Sequence, residues 1–187
     1  MLAAVPFLAF VVVVLATVIR GVALRLRFGD NPWAFAKAGG VQRWTSAAFA
    51  SSVVLLGIAS AHPDGGAGAD HSIASALIAC AGATVVIVAQ HQMGRAWRIG
   101  VRDGDAPLFV KRGLFRISRN PVFVGMILMG LGMALSANSW LSWLAWLAFI
   151  VSCHLQVVIE ERHLTANFGQ SYCEFQANVP RWIGLSR

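Results

Sequence analysis

The feature that most constrains this chain is the alternation of long apolar runs with short basic segments. Five apolar runs occupy residues 2–19, 44–61, 72–92, 121–137 and 140–159. A helix needs about 20 such residues to cross the hydrocarbon core of a bilayer. Only 12% of the residues are charged, against about 25% in an average soluble domain. The sequence therefore predicts an all-α, polytopic integral membrane bundle of about five transmembrane helices.

The distribution of basic residues predicts the orientation of this bundle. All 15 Lys and Arg residues lie between runs one and two, between runs three and four, or after run five. The two remaining loops, 62–70 and 138–139, contain none. Because short basic loops stay on the cytoplasmic side, we expect the N-terminus outside and the C-terminus inside, in the cell inner membrane. The net charge of +7 is then explained by topology and anionic lipid headgroups rather than by nucleic acid.

Two polar segments on the predicted cytoplasmic side, 93–120 and 160–187, are long enough to form a site. We expect a single domain over residues 1–187, with these two segments facing the cytoplasm and the second containing a helix. The three cysteines, Cys80, Cys153 and Cys173, form no CxxC motif and no Cys/His cluster, so no metal site is predicted. The sequence leaves the oligomeric state open.

The adjacent acids Glu160 and Glu161 stand directly at the end of the fifth run. Ser152, Gln156, Glu160 and His163 follow steps of four, four and three, which places them on one helix face. Polar residues in a span usually face the bundle interior or a cavity, so this stripe predicts a ligand-binding carboxylate. The alternative is that the acids only end the span and pair with arginines. His154 is expected to be a hydrogen-bonded interior residue.

Small residues on the fourth run predict close helix packing. Gly130 and Ala134 are four residues apart, as are Gly132 and Ser136, and Gly125 adds a further small residue. Such spacing lets two membrane helices approach closely.

Two polar stretches resemble signatures of a known family. Residues 108–125, LFVKRGLFRISRNPVFVG, are similar to the pattern LVxxGPYRYxRHPxYxG of isoprenylcysteine carboxyl methyltransferases and related membrane methyltransferases. Residues 160–182, EERHLTANFGQSYCEFQANVPRW, resemble that family's EExxLxxxFGxxYxxYxxxVPR pattern, and MGRAW at 93–97 resembles its LGRxW element. Leu114, Phe115, Asn120, Phe123 and Phe175 depart from the patterns, and the changes at Phe115, Phe123 and Phe175 remove hydroxyl groups.

The resemblance implies S-adenosylmethionine as the methyl donor and a pocket made by the first signature and the acidic pair. The cofactor-binding residues it implies are Leu108, Phe109, Val110, Gly113, Phe115, Asn120, Pro121, Phe123, Glu160, Glu161 and Tyr172. Backbone groups of 108–113 and Asn120 would hold the adenosine end, and Glu160 or Glu161 the ribose or α-amino group. Phe123 and Tyr172 would stabilise the sulfonium by cation–π contact.

The residues expected to act on the acceptor are Arg181, Arg119 and Glu160. Arg181, with Arg119, would orient an anionic acceptor through bidentate hydrogen bonds. The acceptor is expected to be lipophilic, a prenylcysteine-like carboxylate or a lipid amine, and to enter laterally from the bilayer. Two alternatives remain at this stage: an NADPH-dependent membrane reductase resembling sterol reductases, and a non-enzymatic membrane scaffold or carrier.

Overall fold

A computed structural model describes residues 2–29, 40–61, 69–97 and 109–184, and within these ranges the chain is helical without strands. The predicted all-α class is confirmed. Single 3-10 turns precede the first helix (Leu2–Ala4), follow the third (Gly94–Ala96) and precede the fourth (Gly113–Arg116). The α-helices of the described ranges are α1 (Val5–Phe28), α2 (Gly40–Ala61), α3 (Ala69–Met93), α4 (Pro121–Ala137), α5 (Trp140–Phe168) and α6 (Gln170–Asn178).

Several of the described helices fit a membrane protein. By length and composition, four segments could cross a bilayer: Leu2–Phe28, Gln42–Ala61, Ser72–Ala96 and Trp140–Phe168. Helix α4 is also apolar but has only 17 residues, about 25 Å at 1.5 Å per residue. That length falls short of a hydrocarbon core of about 30 Å. A fifth span and the orientation of the bundle therefore stay predictions.

Residues 138–139 form a tight turn that joins α4 and α5 as a helical hairpin. Pro121 opens α4 at a first-turn position where its missing N–H costs nothing. Asn138, at φ 47°, ends α4 in the left-handed conformation, and its N–H donates to Ala134 O at 2.9 Å. Ser139 then caps α5: its hydroxyl accepts from Ser142 N at 3.1 Å, and the Ser142 hydroxyl accepts from Ser139 N at 3.2 Å.

Two helices continue beyond the apolar runs that predicted them. Helix α1 runs past Ile19 to Phe28, which places Arg25 and Arg27 in its last turn, where cations complement the helix dipole. Helix α5 runs past Ile159 to Phe168, so Glu160 and Glu161 lie in helix, not at its end. The change from apolar to polar residues marked the end of each run but not the end of the helix.

Helices α3 and α4 share the most extensive interface, and glycine makes it possible. A Cβ on Gly132 would lie 2.6 Å from Ala79 N, and one on Gly125 would lie 2.8 Å from Gly82 O. Close packing through small residues is thus confirmed on α4. Gly130 lies on another side of the helix, where a Cβ would meet the side chains of Leu56 and Trp146.

Polar contacts gather several chain segments at one end of the bundle. Arg20 Nη2 donates to Gly94 O at 2.9 Å, which links α1 to the turn after α3. The Gln92 side-chain oxygen accepts from Leu114 N at 2.8 Å, which links α3 to the turn before α4. This polar end is where the two predicted site segments meet.

Candidate functional site

Residues 117–120, directly before α4, form a clasp with residues 180–184, which follow α6. The peptide N–H of Arg119 donates to Pro180 O at 3.0 Å, and that of Gly184 donates to Ile117 O at 3.2 Å. The carbonyl of Arg181 accepts from Ser118 Oγ at 3.3 Å and from Asn120 Nδ2 at 3.2 Å. The two predicted signatures are therefore brought together at their proline-containing ends.

Glu161 lies under this clasp and is 3% exposed. Its Oε1 accepts from Arg119 Nε at 3.0 Å and from Asn120 Nδ2 at 3.1 Å. Its Oε2 accepts from Arg181 Nε at 3.0 Å and Nη2 at 2.8 Å. A buried carboxylate costs several kcal/mol of desolvation unless it is paired and hydrogen-bonded, and here both oxygens are. Glu161 therefore links the first signature to the tail, the residues 180–184 that follow α6.

The two arginines of this network differ in their exposure and in the hydrogen-bond donors that they leave without a described partner. Arg119 has a side chain only 10% exposed, and its Nη1 also donates to Gln176 O at 2.9 Å. Arg181 has a side chain 36% exposed, and its Nη1 donates to no described residue. Two guanidinium groups face one carboxylate, so the network carries a net positive charge at the Arg181 edge.

Glu160 has different surroundings from its neighbour. It is partly buried and makes no hydrogen bond to the described residues. Gln156, one turn earlier on the same side of α5, is 6% exposed, and its Oε1 is buried without a hydrogen-bond donor in the described structure. Ser152 continues the stripe as a buried residue whose hydroxyl donates to Ala148 O at 2.9 Å. Two acceptor groups without a donor among the described residues thus lie one helical turn apart at the polar end of α5.

An aromatic cluster packs beside the acidic pair, between α5 and α6. The Phe109 ring lies 4.8 Å from that of Phe168, 5.4 Å from that of Tyr172 and 5.6 Å from that of Phe175, centroid to centroid. Tyr172 is 2% exposed, and burial, with the charge of Glu161 as a smaller cause, raises the pKa of its phenol. The phenol is therefore neutral at physiological pH. Lys111 Nζ lies 4.6 Å from the centre of the Phe109 ring and caps the cluster.

The remaining predicted site residues occupy different environments. Gly113 adopts φ 63°, and its backbone passes directly against the Gln92 side chain. Phe115, Asn120 and Pro121 are buried around the clasp. Phe123 instead packs in the helix core, 5.9 Å from the Phe49 ring, and so lies in a different cluster from Tyr172. Leu108 lies outside the described residues.

His154 is not an interior residue, which corrects the expectation from sequence. It is exposed on α5, and its ring lies 6.2 Å from that of Trp182 at an angle of 32°. Gln92, which holds the turn at Leu114, is a site residue that the sequence motifs do not predict. The only signal for it was a run of amides and histidine at the end of an apolar helix, Gln90 to Gln92.

Comparison with known families gives one finding for this chain. A family model described as phospholipid methyltransferase matches residues 70–171, from the start of α3 to the first residues of α6. That family is related to the isoprenylcysteine carboxyl methyltransferases. Comparisons with curated proteins and with solved structures give no match. The matched range includes the first signature, the α4–α5 hairpin and both carboxylates.

Proposed function

Because the chain belongs to the phospholipid methyltransferase family, we propose that it transfers the methyl group of S-adenosylmethionine to a lipophilic acceptor. The reaction would occur at the polar end of the helix bundle, on the cytoplasmic face of the inner membrane, where a soluble cofactor and a membrane acceptor can meet. When bound, the cofactor supplies a methyl group already activated by a sulfonium. The protein therefore has mainly to align the two reactants and exclude water.

The observation that carries the proposal is Gln156 Oε1, which is buried without a donor, one helical turn from Glu160, a carboxylate that accepts no hydrogen bond from a described residue. S-adenosylmethionine presents an ammonium group and ribose hydroxyls, all of which can donate hydrogen bonds. Burying an acceptor without a donor costs about 1–3 kcal/mol, which a bound donor would recover. The donor set of the cofactor therefore fits this part of α5. Of the two adjacent acids, Glu160 is the one with capacity for a ligand, because Glu161 is fully engaged.

The first signature and the tail would form the remainder of the pocket. Backbone groups of residues 108–113 are proposed to contact the adenosine end, with Phe109 held in position by its ring contacts to Phe168 and Tyr172. Asn120 would act by positioning Glu161 and Arg181, since its amide donates to both. Phe115 and Pro121 support this turn as buried packing residues. Phe109 and Tyr172 are proposed to make the cation–π contact with the sulfonium. Phe123 is left out of this role because it packs against Phe49 in the helix core.

A lipid amine is the acceptor that the site favours. An amine reacts only as the free base, and Glu160 would accept the proton that the amine gives up. The bound cofactor would supply the methyl group, and its sulfur would keep the electrons of the broken C–S bond. A carboxylate acceptor is the second candidate, and Arg181 Nη1 would be its contact, because Arg119 has no donor group without a partner. The family match supports methyl transfer and gives no support to the reductase or scaffold alternatives.

Calorimetric titration of the purified protein with S-adenosylhomocysteine tests the proposed cofactor. The parent protein is expected to bind it, and Glu160→Gln to weaken binding by about tenfold or more, because a charge-assisted hydrogen bond contributes about 1.5–3 kcal/mol. The matched control is Glu174→Gln, which removes an exposed carboxylate on α6 and should leave the affinity unchanged. A folded parent that gives no binding heat would refute the proposal.

A radiolabelled methyl-transfer assay against a panel of lipids tests the acceptor. We expect transfer to a phospholipid with a primary amine and little transfer to a prenylcysteine analogue. Arg181→Gln should leave the ratio between these two substrates unchanged if the acceptor is an amine. Preferential methylation of the carboxylate substrate, lost in Arg181→Gln, would reverse the choice of acceptor.

A further inference from the structure

The tail after α6 returns along the outside of α5. After Pro180 it follows the clasp, and Trp182 reaches the ring of His154, 6.2 Å away. His154 lies on the exposed side of α5, together with Val151, which is 59% exposed, and Leu155, which is 45% exposed. In a helix that spans a membrane this side faces lipid. The described residues after α6 therefore lie against a lipid-facing surface.

The position of His154 along α5 gives the depth of this contact. His154 precedes Glu160 by six residues, about 9 Å along the helix axis. It follows Trp140 by 14 residues, about 21 Å at the same rise. Trp140 is 77% exposed and suits the far membrane interface. With a hydrocarbon core about 30 Å thick, His154 lies about 9 Å inside the near boundary.

We propose that the tail tip, Trp182 and Ile183, inserts into the bilayer leaflet at the polar end of the bundle. Its partner is membrane lipid. Ile183 is 70% exposed, and the neighbouring Ile117, joined to the tail by the Gly184 N–H at 3.2 Å, is 45% exposed. Tryptophan is enriched where membrane and water meet, and its indole is long enough to extend from that level down toward His154. The exposed Arg112 and Arg116 lie near enough in sequence to Ile117 to meet anionic headgroups.

Insertion of the tail tip would act directly on the clasp. Arg181 immediately precedes Trp182, its carbonyl is held by Ser118 and Asn120, and its guanidinium pairs with Glu161. Lipid that holds Trp182 against α5 therefore also holds Arg181 over Glu161. Part of the polar segment 160–187, predicted to face the cytoplasm, would thus enter the bilayer, and this inference does not depend on which molecule is methylated.

A fluorescent thiol probe measures the depth of the tail tip directly. The test protein carries Ile183→Cys with Cys80→Ser and Cys173→Ser, and it is labelled with a polarity-sensitive nitrobenzoxadiazole group and reconstituted in phosphatidylcholine and phosphatidylglycerol vesicles. Cys153 is 0% exposed and should not react. We expect blue-shifted emission and at least a twofold stronger quenching by lipids with a nitroxide on the upper acyl chain than for the control.

The control uses the native Cys173, exposed on α6, as the labelled position in a Cys80→Ser background. Emission and quenching are measured only on labelled protein that elutes at the position of the parent in size-exclusion chromatography. A second reporter, Ile117→Cys in the same background as the test protein, is expected to be quenched more than Cys173 and less than position 183. Water-like emission at position 183 with quenching equal to that at Cys173 would overturn the inference, whether or not the protein binds the cofactor.

Discussion

At the scale of single residues, the adjacent acids Glu160 and Glu161 have different surroundings because successive residues on an α-helix point about 100° apart. Glu161 turns toward the clasp, where Arg119 and Arg181 neutralise it, whereas Glu160 turns toward Gln156. Pairing with arginine, the alternative considered for both acids, is thus true of one of them. A carboxylate that is already saturated holds structure, and one that is unpaired can bind a ligand.

Neutralising Glu161 should therefore unfold the clasp while neutralising Glu160 should not. Glu161→Gln leaves two guanidinium groups facing each other, one of them 10% exposed, and we expect it to lower the free energy of unfolding by about 3 kcal/mol. Glu160→Gln should change it by less than about 1 kcal/mol. Chemical unfolding in mild detergent, followed by far-UV circular dichroism, measures both. Equal losses in the two variants would contradict this division of roles.

The acidic pair can be identified from the sequence, but the separate surroundings of its two members cannot. The stripe Ser152–Gln156–Glu160 follows from helical spacing, and the structure brings its first two members to buried positions. What Glu161 contacts depends on where the tail returns after α6, some 20 residues later. Phe123 and Tyr172 were assigned one role on the basis of residue type, but helix rotation puts the first in the core and the second beside Phe109.

At the scale of elements, the sequence predicts a helix end well where a residue at that end restricts the backbone conformation. The bounds of α4 match the apolar run 121–137, because Pro121 starts the helix and Asn138 stops it. The ends of α1 and α5 could not be found from hydropathy, because a helix that leaves the membrane continues into water until a glycine, Gly29 or Gly169, ends it. The pairing of helices depends on glycine positions. It could not be predicted, because several alignments of one helix against another would bring such glycines into contact.

Two glycines on α4 provide a matched test of the α3–α4 interface. Gly132→Ala would place a methyl group 2.6 Å from both Ala79 N and Ser75 O, which are backbone atoms that cannot move aside cheaply. For Gly130→Ala the three nearest atoms all belong to the side chains of Leu56 and Trp146, and the closest atom of each is 3.0 Å away. Overpacking costs about 1–3 kcal/mol, partly offset by the roughly 1 kcal/mol that alanine gains over glycine in a helix.

We therefore expect Gly132→Ala to lower the thermal midpoint clearly and Gly130→Ala to leave it nearly unchanged. Thermal unfolding of the two purified variants in the same detergent compares them directly. If both variants shift by the same amount, α4 does not present Gly132 to α3 in the way described.

At the scale of the whole molecule, the polar contacts concentrate at the end where α1 and α3 finish and α4 begins. Arg20 illustrates how one basic residue serves both topology and packing. It follows the first apolar run, donates to Gly94 O and lies 5.6 Å from the centre of the Trp97 ring. The charge pattern could predict that such residues share one membrane face. It could not predict which of them would be structural, since that depends on partners that are distant in sequence, such as Gly94 for Arg20 and Glu161 for Arg119.

The orientation of the bundle can be tested with the native cysteine of α6. Because basic segments stay on the cytoplasmic side, Cys173 should be protected from a membrane-impermeant maleimide in intact cells and labelled in inverted vesicles. The matched reporter is Asp64→Cys in a Cys80→Ser and Cys173→Ser background, placed in the loop without Lys or Arg between α2 and α3. It should show the reverse pattern. Labelling of Cys173 from outside intact cells would show that the bundle has the opposite orientation. The proposed site would then lie on the side of the membrane without the cytosolic cofactor.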